Sequence, residues 1–419
     1  AKDGPMRIFF SVGEPSGDLH GANLIRRLKS HDSAIECIGF GGPKMQAAGG
    51  DLHFDLTSLA VMFLASVLKN IRLFFRLIAQ ADRYFENYQV DAVVLIDYAG
   101  FNWWIARKAK KHGIPVFFYG VPQVWAWAPW RIRKIRKLVD HVLCKLPFEA
   151  PWFKQRNCHA TYVGHPYFDQ LAHQEYDSDF IKALVKGNKR LITLLPGSRN
   201  QEVKSVLPIL LDTAKITLRE DDTCRFAIAF FNEEQRQDSS ELIAASKVPV
   251  EVYVGRTPEL MRAAYACVAC SGSVSLELLY YRKPTVIVFK VRRWVMVAQA
   301  FLLRIKFITL VNLIAAKEIR RQNFRLYDPD DPNAESCLMP EYLTAGDPSE
   351  KAAWRVLGRL GDKQSHSKNV AELDRLAVRY AQPGATSRAA DYLLGELSGE
   401  GVRGGAQSPA GLPTSEQAA

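Results

Sequence analysis

Asp97 stands directly after the apolar run Ala92 to Ile96 and is followed by Tyr98-Ala99-Gly100-Phe101-Asn102. A carboxylate at the carboxyl end of a central strand faces ligand space, where it can take a proton from a sugar hydroxyl as general base. Capping the helix after Gly100 is the competing role. A second turn, Leu194-Leu195-Pro196-Gly197-Ser198-Arg199, sets a Gly-Ser pair and a permanent cation after another buried run. An arginine there can clamp a diphosphate bidentately and stabilise the negative charge that grows on it as a glycosidic bond breaks. A third turn reads Cys270-Ser271-Gly272-Ser273-Val274-Ser275-Leu276-Glu277. The amides of Ser271, Gly272 and Ser273 suit phosphate oxygens, and Glu277, one turn in, can hold ribose hydroxyls. Either turn alone could be structural; both on one domain point to a nucleotide sugar.

The first apolar strand runs into Gly13-Glu14-Pro15-Ser16-Gly17-Asp18-Leu19-His20-Gly21, a glycine-bearing strand-to-helix turn that lets backbone amides approach an anionic group. Its spacing is not G-x-G-x-x-G, which argues against a dinucleotide-binding dehydrogenase. Asp328-Pro329-Asp330 matches the D-x-D of metal-dependent glycosyltransferases, yet it lies in a polar, proline-bearing insert from Gln322 to Leu338 and reads as loop chemistry. No metal and no cofactor are expected.

These turns need elements to hold them. Apolar runs at Arg7 to Val12, Ile35 to Phe40, Ala92 to Ile96, Pro115 to Tyr119 and His141 to Lys145 alternate with helix-period segments. A second series follows at Leu191 to Leu195, Phe226 to Phe230, Val250 to Tyr253, Ala266 to Ala269 and Thr285 to Phe289. Such alternation is the signature of parallel sheets flanked by helices. The reading is therefore α/β, with two Rossmann-like doubly wound parallel-sheet domains and an interdomain cleft. Residues 1–172 form the first domain, 186–370 the second, 371–397 helices that cross back to the first, and 398–419 a disordered Gly/Ser/Pro/Ala tail.

The net charge of +11 is concentrated. Phe101 to Ala160 holds twelve basic and two acidic residues, and Arg282 to Arg325 holds eleven and one, so the rest of the chain is net acidic. Two basic zones suggest contact with phosphates or an anionic surface. Apolar residues stand beside cations in Val61-Met62-Phe63-Leu64 and the helix with Arg72, Phe74 and Arg76, and again around Trp294 to Leu303. Helices of that kind sink into lipid headgroups, with core packing as the alternative. Trp125, Trp127 and Trp130 before Arg131 and Arg133 form a third such cluster, which would also suit RNA. No apolar run has the length of a membrane span. The seven cysteines make no disulfide or zinc framework and read as buried thiols.

Taken in order, these segments closely resemble the lipid A disaccharide synthases, glycosyltransferases of the GT-B fold. The matching stretches include GEPSGDLHGANLIRRL from Gly13, GFGGPKMQAAG from Gly39, LIDYAGFN from Leu95, QVWAW from Gln123, LPFE from Leu146, LLPGSRNQEV from Leu194, CSGSVSLELL from Cys270 and LVNLIA from Leu310. The resemblance implies that UDP-2,3-diacylglucosamine and 2,3-diacylglucosamine 1-phosphate are joined with inversion to a β-1,6-linked disaccharide 1-phosphate, releasing UDP without a required metal. It implies Asp97 as base for the acceptor 6-hydroxyl and Glu14, Ser16 and Asn102 on the acceptor side. Gly197, Ser198, Arg199, Ser271, Gly272, Ser273, Glu277 and Asn312 would hold UDP, with Arg199 also catalytic. Met62, Phe63, Leu64, Phe74, Arg72 and Arg76 would meet an anionic membrane from its cytoplasmic side, on the inner membrane. No nucleic-acid partner is expected, and a homodimer is left open. Ala99, Phe63, Ser66, Val311 and the long insert depart from the family pattern, and bear on the acceptor pocket.

Overall fold

The computed structural model describes residues 4–60, 71–321 and 325–399. Met62, Phe63 and Leu64 and nearly all of the tail 398–419 lie outside the described residues. The chain divides into two compact units, one formed by residues up to 170 together with those from 382, the other by residues 171–381.

The first unit is built on seven parallel strands: β1 (Arg7–Val12), β2 (Glu36–Gly41), β3 (Asp51–Asp55), β4 (Ala92–Ile96), β5 (Val116–Tyr119), β6 (His141–Cys144) and β7 (Ala160–Tyr162). Their order is β3-β2-β1-β4-β5-β6-β7. Central strands such as Ala92-Val93-Val94-Leu95-Ile96 are apolar throughout because both faces are covered. Phe9, Val93, Leu95 and Phe118 meet the helices Ile71–Asn87 and Ala99–Lys111 on one face. Ile8, Phe10, Val94 and Phe117 meet Pro15–His31 and Ala385–Ser398 on the other. Helix Ala385–Ser398 thus belongs to the first unit, whereas Lys363–Tyr380 stays with the second, so the return of the chain begins at 382 and not at 371.

The second unit carries β8 (Arg190–Leu195), β9 (Cys224–Phe230), β10 (Val250–Val254), β11 (Ala266–Cys270), β12 (Thr285–Lys290) and β13 (Glu341–Thr344). All are parallel, in the order β10-β9-β8-β11-β12-β13. Both sheets reverse their strand order once, between β1 and β4 and between β8 and β11. Loops leaving the two strands at such a reversal diverge to opposite faces, opening a crevice at the strands' carboxyl ends.

Three strands, β3, β7 and β13, go beyond those expected from sequence. Each is an edge strand, so none needs an apolar run: Asp51-Leu52-His53-Phe54-Asp55 alternates, and the other two are only three and four residues long.

Candidate functional site

The reversal between β1 and β4 sets Val12 beside Ile96 in register, so the turns that begin at Gly13 and Asp97 emerge together. Asp97 and Tyr98 both take left-handed backbone conformations, φ 49° and 40°. That conformation is costly for a side-chain-bearing residue and persists only where the surroundings enforce it. Asn102 does so here: its Nδ2 lies 2.8 Å from the Asp97 carbonyl, 3.3 Å from that of Ile96 and 3.1 Å from that of Ser11, while its Oδ1 accepts from Ser11 Oγ at 2.6 Å. Asn102 is fully buried with its amide fully engaged, which makes it a residue that positions Asp97.

The Asp97 carboxylate has Lys145 as its ion-pair partner, Nζ to Oδ1 3.4 Å. Lys145 follows β6 and is held by a buried acid. Glu149 accepts from the backbone amides of Lys145 and Leu146 at 2.9 Å and from the indole of Trp125 at 3.0 Å. Burial raises the pKa of Glu149, opposed by those hydrogen bonds. Trp125-Glu149-Lys145-Asp97 is thus a continuous chain that links QVWAW and LPFE to the acid. Gly120, φ 75°, lies at the end of β5 against it: a Cβ there would stand 2.7 Å from Lys145 Nζ and 3.1 Å from Asp97 Oδ1.

Glu14 and Ser16 lie exposed at the start of helix Pro15–His31. The Glu14 carboxyl is raised by its partial burial and by the Asp97 charge, against the pull of Lys145. His20, buried in the same helix, is driven down to about 4 by desolvation and by Lys145, so its imidazole is neutral at physiological pH. Lys145, His20 and Glu149 are members that the sequence reading did not single out. A basic residue directly after a parallel strand was the available signal for Lys145. Asp18 has a different job, accepting from the amides of Gly42, Lys44 and Met45 at 3.0 to 3.1 Å and so capping helix Pro43–Ala47.

In the second unit, Leu195 pairs with Ala269, so the turns bearing Gly197-Ser198-Arg199 and Ser271-Gly272-Ser273 leave the sheet side by side. Gly197 takes φ 118°, and a Cβ there would meet the Glu202 carboxylate at 2.8 Å. Arg199 caps helix Asn200–Glu220, pairs with Glu202 at 3.0 Å and leaves 83% of its side chain exposed to solvent. Gly272 and Ser273 are exposed and Ser271 partly so. Glu277 is partly buried, and desolvation alone pushes its carboxyl up to about 7. Among the described residues no hydrogen bond or ion pair engages that carboxyl, which suits a group awaiting hydroxyl donors.

Asn312 is placed differently. It is buried, with Nδ2 on the Met339 carbonyl at 2.7 Å and on Glu341 at 3.0 Å and Oδ1 on the Met339 amide at 3.0 Å. Glu341 also accepts from the amides of Ile308 and Thr309 at 2.7 and 2.9 Å. Asn312 therefore ties helix Leu310–Ala315 to β13 and braces the unit. In the insert, Asp330 pairs with Arg355 at 2.7 Å and Lys351 at 3.1 Å, which gives Asp328-Pro329-Asp330 a structural role.

Two doubly wound parallel-sheet units match a known architecture. A model of the family described as lipid-A-disaccharide synthetase matches residues 8–337. The chain belongs to that family. The lipid-A-disaccharide synthase of Syntrophus aciditrophicus is 31% identical over 389 residues, spanning 92% of this chain and 97% of its own. Among solved structures, the UDP-GlcNAc 2-epimerase of Neisseria meningitidis bound to UDP-GlcNAc is similar with TM-score 0.57 at 13% identity, covering 93% of this chain and all of that one. A glycosyltransferase from Rickettsia africae is similar with TM-score 0.54 at 10% identity, covering 94% and 99%. At such identities the shared property is the fold, GT-B. As a member of the lipid-A-disaccharide synthetase family, the chain is a glycosyltransferase that forms the lipid A disaccharide.

Proposed function

We propose that Asp97 is the general base of an inverting transfer from UDP-2,3-diacylglucosamine to the 6-hydroxyl of 2,3-diacylglucosamine 1-phosphate. The acceptor oxygen attacks the donor's anomeric carbon, its proton passes to Asp97, and the bond from that carbon to the UDP oxygen breaks. Lys145 pairs with the carboxylate and orients it, while Glu14 and Ser16 line the acceptor side. Arg199, the Gly197-Ser198 and Ser271-Gly272-Ser273 amides and the free end of helix Asn200–Glu220 meet the charge that develops on UDP. Glu277 takes the ribose hydroxyls. The observation that carries this reading is the register of Val12 with Ile96, which gathers Asp97 and Glu14 at one strand reversal, where Lys145 reaches Asp97 from the end of β6.

The first unit also offers a surface for the lipid substrates. On helix Ile71–Asn87, Ile71, Phe75, Arg72 and Arg76 are exposed, and Trp104 packs beside Phe75 at 6.3 Å with Arg107 over its ring. Phe74 instead turns inward onto Phe101, 5.6 Å away. Apolar rings among cations suit an anionic bilayer face, and no helix among the described residues is long and apolar enough to cross one. In this reading the protein works peripherally on the cytoplasmic face of the inner membrane, its first unit toward the lipid and its second holding UDP. The direct assay is UDP release from UDP-diacylglucosamine. Release that requires the phosphorylated acceptor and persists with chelator is expected; release without acceptor would point to hydrolysis or another sugar acceptor.

A further inference from the structure

Away from the strand ends that bear Asp97, the first unit gathers a second set of chemically competent groups. His141 opens β6, His159 directly precedes β7, and Glu396 lies in the last turn of helix Ala385–Ser398. One ligand atom from each lies within 4.8 Å of the others. His141 and Glu396 are partly buried and His159 is exposed. Both histidines sit at the amino-terminal ends of their strands, the rim of the sheet opposite the Gly13 and Asp97 turns. The transfer chemistry has no use for them there.

We propose that His141, His159 and Glu396 form a binding site for a divalent transition metal that clips helix Ala385–Ser398 to the β6-β7 edge of the sheet. Two imidazoles and a carboxylate are a donor set for zinc, cobalt or nickel rather than magnesium or calcium, and a water completes a tetrahedral shell on the exposed side. The cluster is ordered as metal sites are. The His141 ring stacks on Phe117, centroids 4.3 Å apart, and its Nδ1 lies 3.0 Å from the Tyr392 hydroxyl. With Nδ1 as the donor to that hydroxyl, the other ring nitrogen presents its lone pair to the site. The Tyr392 ring also packs edge-on against both imidazoles, at 5.7 and 6.4 Å. The two imidazole rings lie 4.8 Å apart between centroids.

The test uses untagged full-length protein stripped with chelator, then titrated with zinc in competition with a chromophoric chelator and with cobalt by its visible absorption. One equivalent of zinc is expected to bind and to raise the melting temperature by roughly 5 °C at saturating metal. His159→Ala, at an exposed position, and Glu396→Gln are each expected to weaken binding by about tenfold or more and to abolish that rise. Magnesium in large excess should not compete, and sugar transfer should be unaffected by His159→Ala. Absence of stoichiometric zinc binding would overturn the proposal. So would binding of equal strength in both variants, which would place the metal elsewhere.

Discussion

Glu277 shows how far a single buried carboxyl can be read. Its pKa near 7 in the folded chain lies above the ordinary 4.5, so the folded state keeps a proton that the unfolded state has released between those values. Stability from this group is therefore present below pH 4.5 and lost as pH rises through 7. A shift of that size corresponds to an upper bound of about 3 kcal/mol, reduced by the solvent that reaches a partly exposed side chain. Glu277→Gln should therefore melt higher than the parent at pH 8, with the gap narrowing toward pH 5, while UDP binds more weakly. Equal melting at both pH values would show that the carboxylate is solvated. The roles of Asp97, Arg199 and Glu277 could be proposed from sequence because each follows a strand or opens a helix in a short, recognisable turn. Asn102 and Asn312 could not be resolved in the same way: only the three-dimensional partners of their amides, Ser11 and the Asp97 carbonyl in one case and Met339 and Glu341 in the other, show that they brace the frame. Lys145 was hidden because its relation to Asp97 spans 48 residues and two strands.

At the level of elements, the strand-end turns are what convert a parallel sheet into a site. Central strands were legible because burial on both faces demands continuous apolar runs, whereas the edge strands β3, β7 and β13 carry no such demand. The turn after β5 is a direct test of this scale. Gly120 combines φ 75° with the close approach of Lys145 and Asp97, so Gly120→Ala meets both a backbone and a steric penalty. We expect a loss of about 1–2 kcal/mol in denaturant unfolding and a fall in kcat with UDP affinity kept, since the displaced groups belong to the acid's side of the reaction. Wild-type kcat in a folded variant would show that Lys145 has no part in orienting the acid. Glu149→Gln probes the same chain from its other end. It keeps the size of the side chain but replaces with an NH2 donor one of the two oxygens that accept from Trp125 and from the Lys145 and Leu146 amides. A lower kcat with little change in UDP affinity is expected.

Across the whole molecule, charge and apolar exposure are distributed unevenly. Ile71, Phe75 and Trp104 stand exposed beside Arg72, Arg76 and Arg107 in the first unit, and Trp294, Val297 and Phe301 on helix Arg293–Leu302 in the second. If the first patch meets lipid, Ile71→Glu with Phe75→Glu should cut sedimentation with anionic vesicles by about tenfold or more, leave activity on dispersed substrate unchanged, and flatten the dependence on salt. Unchanged sedimentation in the folded double variant would assign those side chains to some other contact. The larger claim is a division of labour, with proton removal in one unit and the grip on UDP in the other. Its most direct measurement is paired: single-turnover transfer and UDP affinity for Asp97→Asn and Arg199→Ala. The account predicts that Asp97→Asn slows transfer by a factor on the order of 1,000 with UDP affinity unchanged, and that Arg199→Ala weakens UDP binding and slows transfer together. Transfer within tenfold of the parent in Asp97→Asn would contradict it.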